Sequence, residues 1–103
     1  MPNLVKVAAV GDIAEGAAKL VQVETRLISI FNVAGTFLAI DDRCPHRGGP
    51  LSEGHLEGTT ITCPWHVAKF DLTTGKKLEG PSNSDVKTYA VHVSGGEISV
   101  DIS

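Results

Sequence analysis

The chain contains two cysteines, and each one begins a short motif that also contains a proline and a histidine. The motifs are C-P-H at 44–46 and C-P-W-H at 63–66. Thiolate and imidazole groups suit zinc and iron–sulfur centres. A site built from both motifs must bring two distant segments of the chain to one point, so the fold has to place these two loops side by side.

Each motif supplies one cysteine and one histidine. Structural zinc sites usually draw two cysteines or two histidines from a single short motif. The mixed pattern therefore favours a two-iron cluster, in which Cys44 and Cys63 bind one iron, His46 and His66 bind the other, and two sulfides bridge them. A zinc site with the same four ligands and a disulfide between the two cysteines remain open as alternatives. A reducing compartment disfavours the disulfide.

Size and charge narrow the functional classes. At 103 residues the chain predicts a single domain over 1–103. A net charge of −3 without a stripe of Lys and Arg argues against nucleic-acid binding. No apolar run approaches the roughly 20 residues that span a bilayer, and the N-terminus has no signal-peptide pattern, so we expect no membrane contact and a cytoplasmic location.

Alternating apolar and polar residues predict an all-β fold of small, packed antiparallel sheets. The first four predicted strands form a meander, and the last two form a hairpin across 94–97. Only Ile13–Leu20 has helical character, and Gly16 weakens it. The predicted strands are 4–9, 19–23, 26–32, 37–40, 59–62, 69–72, 89–93 and 98–102.

The two motifs, read in full as C-P-H-R-G-G-P-L at 44–51 and C-P-W-H at 63–66, resemble the cluster-binding loops of the Rieske family. The resemblance continues through 51–54, 70–75 and 80–81 and covers nearly the whole chain. It implies a Rieske fold of stacked antiparallel sheets with a small cluster-binding subdomain. The cluster loops would lie at about 43–51 and 62–68, and a proline loop at about 80–84.

Within that family, the chain is most similar to free-standing ferredoxins of bacterial aromatic ring-hydroxylating dioxygenases. It lacks the extra cysteine pair of the respiratory-complex branch and has no room for the catalytic iron domain of the oxygenase subunits. The resemblance implies one [2Fe–2S] cluster, held by Cys44, His46, Cys63 and His66. It also implies a one-electron carrier between a flavoprotein reductase and a terminal oxygenase, with no catalytic residue and no small-molecule substrate.

Two alternatives to this carrier remain. One is the small Rieske-like subunit of an oxidoreductase similar to assimilatory nitrite reductase, and the other is a zinc-stabilised binding module without a redox role. All four ligand positions are present, which favours the carrier, because some of the nitrite reductase subunits lack them.

The second loop departs from the family in two respects. Val67 stands where the family commonly has Gly, and a β-branched residue disfavours a positive φ. Ala68 and Phe70 occupy positions where the high-potential branch has Ser and Tyr hydroxyls that donate to the cluster and a ligand thiolate. A reduced cluster without these donors is less stabilised, so we expect a low reduction potential.

Other residues near the motifs receive simpler interpretations. Gly48, Gly49 and Gly54 are expected to let backbone N–H groups approach the cluster sulfurs. His55 and His92 lie outside both motifs and are assigned no role.

Overall fold

A computed structural model describes residues 3–43, 49–64, 68–79 and 85–102. These residues form three antiparallel sheets and two single turns of 3₁₀ helix, and no helix among them is long and apolar enough to cross a membrane. The expected all-β architecture of stacked antiparallel sheets is confirmed. The strands are β1 Leu4–Ala9, β2 Ala18–Val23, β3 Arg26–Val33, β4 Thr36–Asp41, β5 His55–Glu57, β6 Thr60–Thr62, β7 Lys69–Asp71, β8 Lys77–Glu79, β9 Thr88–Tyr89, β10 Val91–Ser94 and β11 Glu97–Asp101.

The first sheet has the order β1-β11-β10, and the second has the order β2-β3-β4-β9. The hairpin between β10 and β11 is confirmed, with Ser94 opposite Glu97. The meander holds for β2, β3 and β4, but β1 was wrongly placed in it. Instead, β1 pairs with the distant β11, with Leu4 opposite Asp101.

The helical interpretation of Ile13–Leu20 is wrong. Gly16 has a φ of +80°, and its N–H donates to the carbonyl of Asn32 at 2.8 Å, which turns the chain directly into β2 at Ala18. The nearest helical residues are the single 3₁₀ turn at Val10–Asp12. A residue with a Cβ atom is strained at such a φ, so this turn favours glycine at position 16.

The third sheet, β5-β6-β7-β8, is a meander of three-residue strands. Strands β5 and β8 were not predicted, because each has polar residues at both ends and a single apolar residue between them. Sequence analysis also merged β9 and β10, which are separated at Ala90 and belong to different sheets. The third sheet carries the second motif at the end of β6 and forms the expected small subdomain.

Two separate apolar clusters stabilise the described part of the chain. The first lies between the first two sheets and includes Ile28, Ile30, Ile98 and Val100. The second joins the second sheet to the small subdomain. Its buried members are Phe31, Ile40, Leu51, Ile61, Cys63, Ala68, Phe70, Leu72 and Val86. Strand β3 contributes to both clusters, because successive side chains of a strand point to opposite faces.

Candidate metal centre

The described residues include one of the four predicted ligands, Cys63, and the stems of the predicted loops. No three Cys, His, Asp or Glu residues within the described ranges come close enough together to hold a metal ion. The features that lie outside the described residues are Cys44, His46, His66, Val67 and the core of the predicted proline loop at 80–84.

Cys63 directly follows β6 and is 2% exposed. Its backbone N–H donates to the carbonyl of Ala68 at 2.9 Å, which extends the ladder one step beyond the Thr62–Lys69 pair. Ile61 lies opposite Phe70 in the same ladder. These two side chains belong to the second cluster, together with those of Cys63 and Ala68. The stem of the second loop is therefore a closed hairpin that holds the Cys63 thiol among buried apolar groups.

The stem of the first loop is closed by Asp42, which is 3% exposed. Its carbonyl accepts from the Leu51 N–H at 2.6 Å, and its Oδ1 accepts from the Ser52 N–H at 2.8 Å. Beside it, Arg43 and Pro50 form an isolated antiparallel bridge. A buried carboxylate is costly unless it is hydrogen-bonded, and here it fastens the two ends of the loop together.

Gly54 brings the two stems into contact. A Cβ atom at this position would lie 2.2 Å from the carbonyl oxygen of Thr62, the residue before Cys63, and 3.1 Å from that of Leu51. Its φ of −76° is ordinary, so glycine is needed here for space. The Gly54 N–H donates to the Leu51 carbonyl at 3.0 Å, so the expectation that it approaches a cluster sulfur gives way to a role in the contact between the stems. Gly49 is buried, and Gly48 lies outside the described residues.

A third stem fastens the segment after residues 80–84 to the hairpin of β7 and β8. The Val86 N–H donates to the Gly75 carbonyl at 2.8 Å, and the Lys77 N–H donates to Oδ1 of Asp85 at 2.8 Å. Gly75 has a φ of +77°, and a Cβ there would lie 2.0 Å from the Val86 carbonyl oxygen. The described ends of the second and third predicted loops are therefore attached to the small subdomain, and Gly54 brings the stem of the first loop against it.

Sequence analysis missed the stem residues Asp42, Gly75 and Asp85. Their roles depend on contacts with residues 8 to 11 positions away, as in the Ser52–Asp42 and Lys77–Asp85 bonds. The one local signal was the D-x-T sequence at 71–73, where Asp71 accepts from the Thr73 N–H at 2.9 Å and marks a turn. His55 and His92 are both exposed, in agreement with their lack of an assigned role.

Comparison with known proteins identifies the family. Residues 3–90 match the Rieske [2Fe-2S] domain, and the chain belongs to that family. It is 44% identical over 101 residues to the ferredoxin subunit of 3-phenylpropionate/cinnamic acid dioxygenase from Escherichia coli strain K12, an alignment that covers 97% of this chain and 94% of that protein.

Solved structures give the same result. The ferredoxin of carbazole 1,9a-dioxygenase from Nocardioides aromaticivorans IC177 is 29% identical, with a TM-score of 0.90 over 94% of this chain and 95% of that one. A ferredoxin from Sphingomonas yanoikuyae B1 is 28% identical, with a TM-score of 0.91 over 98% and 100%. The small subunit of a nitrite reductase from Mycobacterium tuberculosis, at 21% identity and a TM-score of 0.90 over 100% and 97%, shares the fold.

The described residues fit the [2Fe–2S] cluster of this family. The Cys63 thiol is a sulfur donor in an apolar setting, and the Cys63 N–H is hydrogen-bonded to the Ala68 carbonyl across the hairpin. The Gly54–Thr62 contact brings the stem of the first motif against the residue that precedes Cys63. A cluster bound by one Cys and one His from each loop needs this pairing of stems. The protein is therefore a Rieske iron–sulfur protein.

Proposed function

We propose that this protein is a one-electron carrier that receives electrons from a flavoprotein reductase and delivers them to the terminal oxygenase of an aromatic ring-hydroxylating dioxygenase. The observation that carries the proposal is its 44% identity, over nearly its whole length, to the ferredoxin subunit of such a system. The chain is also 32% identical to a chain in a solved complex of reduced oxygenase and oxidised ferredoxin from carbazole 1,9a-dioxygenase. The predicted compartment is the cytoplasm.

We assign the cluster ligands to Cys44, His46, Cys63 and His66, with both thiolates on one iron and both imidazoles on the other. The bound cluster supplies the uptake and release of a single electron. The chain itself contributes the stems that hold the two loops together and the apolar surroundings of Cys63. The whole chain forms one domain with its cluster loops at 43–51 and 62–68. It carries no catalytic residue and binds no substrate of its own.

The nitrite reductase alternative rests on a likeness in fold at 21% identity. It predicts a protein that stays bound to a larger subunit. The zinc alternative predicts a colourless protein, whereas the carrier must be coloured, because iron–sulfur clusters absorb visible light.

The test begins with the purified protein. We expect two irons and two sulfides per chain, a visible spectrum that bleaches on reduction, and reoxidation by a terminal oxygenase in the absence of oxygen. A colourless protein that contains zinc would contradict the carrier. A reducible cluster that is reoxidised by no dioxygenase component, in a protein that copurifies with a larger reductase subunit, would favour the nitrite reductase alternative.

The second loop leads to a prediction about the reduction potential. Ala68 and Phe70 are fully buried in the same cluster as Cys63, and Ala68 is its direct neighbour across the hairpin. We expect a wild-type potential at the low end of the Rieske range of about −150 to +300 mV. Ala68→Ser and Phe70→Tyr should each raise the reduction potential by some tens of millivolts. A new hydroxyl should stabilise the reduced cluster, relative to the oxidised one, by about 1 kcal/mol. For a one-electron couple, a tenfold change in the equilibrium constant corresponds to about 59 mV.

Protein-film voltammetry on the wild type, both single variants and the double variant measures this shift. The matched control is Ala39→Ser, which adds the same hydroxyl to a buried position in the other apolar cluster and should leave the potential unchanged. A wild-type potential well above zero, or a double variant that titrates like Ala39→Ser, would show that these positions do not set the potential.

A further inference from the structure

A cleft of about 410 Å³ opens at one end of the second sheet. It lies between the beginning of β3, the end of β4 and the residues that lead into β9. Its charged and ionisable lining consists of Arg26, Asp41, Arg43, Lys87 and Tyr89. Arg43 immediately precedes Cys44 in the chain, so the cleft borders the first predicted cluster loop in sequence.

Tyr89 organises this cleft. The Arg26 Cζ atom lies 5.9 Å and the Lys87 Nζ atom 5.2 Å from the centre of its ring, distances at which a cation is attracted to an aromatic face. The Tyr89 hydroxyl donates to Oδ1 of Asp41 at 2.5 Å. Burial, followed by this hydrogen bond, raises the pKa of Tyr89 to about 12. The phenol is protonated at neutral pH and keeps its hydrogen bond to the Asp41 carboxylate.

The cleft carries an excess of positive charge on a chain whose net charge is −3. Arg26 donates from Nη1 to the carbonyl of Ile102 at 2.8 Å. Among the described residues, no ion pair involves Arg26, Arg43 or Lys87. Arg43 and Lys87 are exposed, so their charges face solvent.

We propose that this cleft, whose lining includes the residue before Cys44, docks an acidic segment of the terminal oxygenase. The inference rests on the proposed function and adds the charge of the surface that the partner presents. Arg26 begins β3, Arg43 follows β4 and Lys87 precedes β9, so the three cations come from three separate segments, and Asp41 also belongs to the lining. A single compact anion that faced all three cations would also face the Asp41 carboxylate, whereas carboxylates spaced along a peptide can contact Arg43 and Lys87 separately.

The chain contains a single tyrosine, so Tyr89 is a selective probe of the cleft. We suggest labelling its ring with ¹³C and titrating the cluster-loaded protein with hexaglutamate at low salt. The Tyr89 resonance should shift to saturation and return when NaCl is added. Arg43→Gln/Lys87→Gln should weaken binding at least about tenfold, equivalent to about 1.4 kcal/mol. The matched control, Lys6→Gln/Lys76→Gln, removes the same charge elsewhere and should bind like the wild type.

Inorganic phosphate at the same ionic strength distinguishes the two sources of negative charge. We expect no saturable shift with phosphate. Binding of phosphate as tight as that of hexaglutamate would make the cleft a small-anion site and overturn the docking proposal. Equal binding of hexaglutamate by the two double variants would overturn it as well.

Electron transfer tests the same surface with a real partner. The second-order rate of reoxidation of the reduced protein by a terminal oxygenase should fall at least about tenfold in Arg43→Gln/Lys87→Gln at low salt and lose most of its dependence on ionic strength. Lys6→Gln/Lys76→Gln should keep both. If the wild type transfers electrons and the two double variants behave alike, the docking proposal fails. If the wild type transfers none to any oxygenase, the proposed function fails, and the peptide titration still decides whether the cleft binds acidic segments.

Discussion

Cys63→Ser is expected to purify without iron or sulfide and without visible absorption. The thiol it removes is 2% exposed and stands at the end of a hairpin that positions it among apolar side chains. A serine hydroxyl binds iron less strongly than a thiolate, so one iron would lose one of its two protein ligands, and we expect the cluster to be lost. Cys44→Ser, His46→Ala and His66→Ala should also lose the Rieske spectrum. Iron and sulfide analysis together with visible absorption measures the loss.

The chain contains matched controls for this experiment. Two of its four histidines, His55 and His92, are exposed on β5 and β10 and lie outside both motifs. His55→Ala and His92→Ala should keep the wild-type iron content and spectrum. Normal iron and sulfide in either cysteine variant would show that the ligand assignment is wrong.

Gly75→Ala should lower the stability of the protein by about 3 kcal/mol, of which about 1–2 kcal/mol comes from the positive φ alone. The remainder arises because the new Cβ would lie 2.0 Å from the carbonyl oxygen of Val86. Val86 must then move away, which weakens the hydrogen bond from its N–H to the carbonyl of residue 75. For a domain of this size, the thermal midpoint should fall by at least about 12 °C. Thermal unfolding followed by circular dichroism on the cluster-loaded protein measures it.

Gly58→Ala separates the two causes of this loss. Gly58 also has a positive φ, of +61°, but a Cβ there would meet no atom within 4 Å. Its cost is therefore that of the positive φ alone, about 1–2 kcal/mol, or about 4–8 °C on the same scale. Equal losses in both variants would show that the close approach to Val86 contributes nothing.

The longer strands of the two larger sheets could be predicted from the sequence, because they are rich in Val, Ile, Leu and Phe and are bounded by turn residues. Arg26–Asn32 and Leu4–Ala9 are examples, and the observed strands begin at the same residues. The partner of β1 could not be predicted in this way. The Leu4–Asp101 pairing joins opposite ends of the chain, and no local pattern encodes it. Strands β5 and β8, with three residues each, are too short to show any period.

At the site, the motifs predicted the family and the cofactor because one Cys and one His in each of two loops is a rare and specific arrangement. The supporting residues were less accessible to sequence analysis. Asp42 resembles any surface acid until its carboxylate is found buried against the Ser52 N–H. Gly54 has an ordinary φ, so its requirement for space becomes visible only when Thr62 is seen beside it.

The third strand has a consequence for how this sequence can diverge. Residues 28–32 of β3 are all buried, whereas most strands here leave one face partly open to solvent. Ile28 and Ile30 pack into the cluster between the larger sheets, and Phe31 packs into the cluster that joins the second sheet to the small subdomain. A change in side-chain volume at any of these three positions therefore disturbs the packing of one or the other cluster. Because neighbouring residues of a single strand fill both clusters, substitutions in the two halves of the core are expected to accumulate together and not independently.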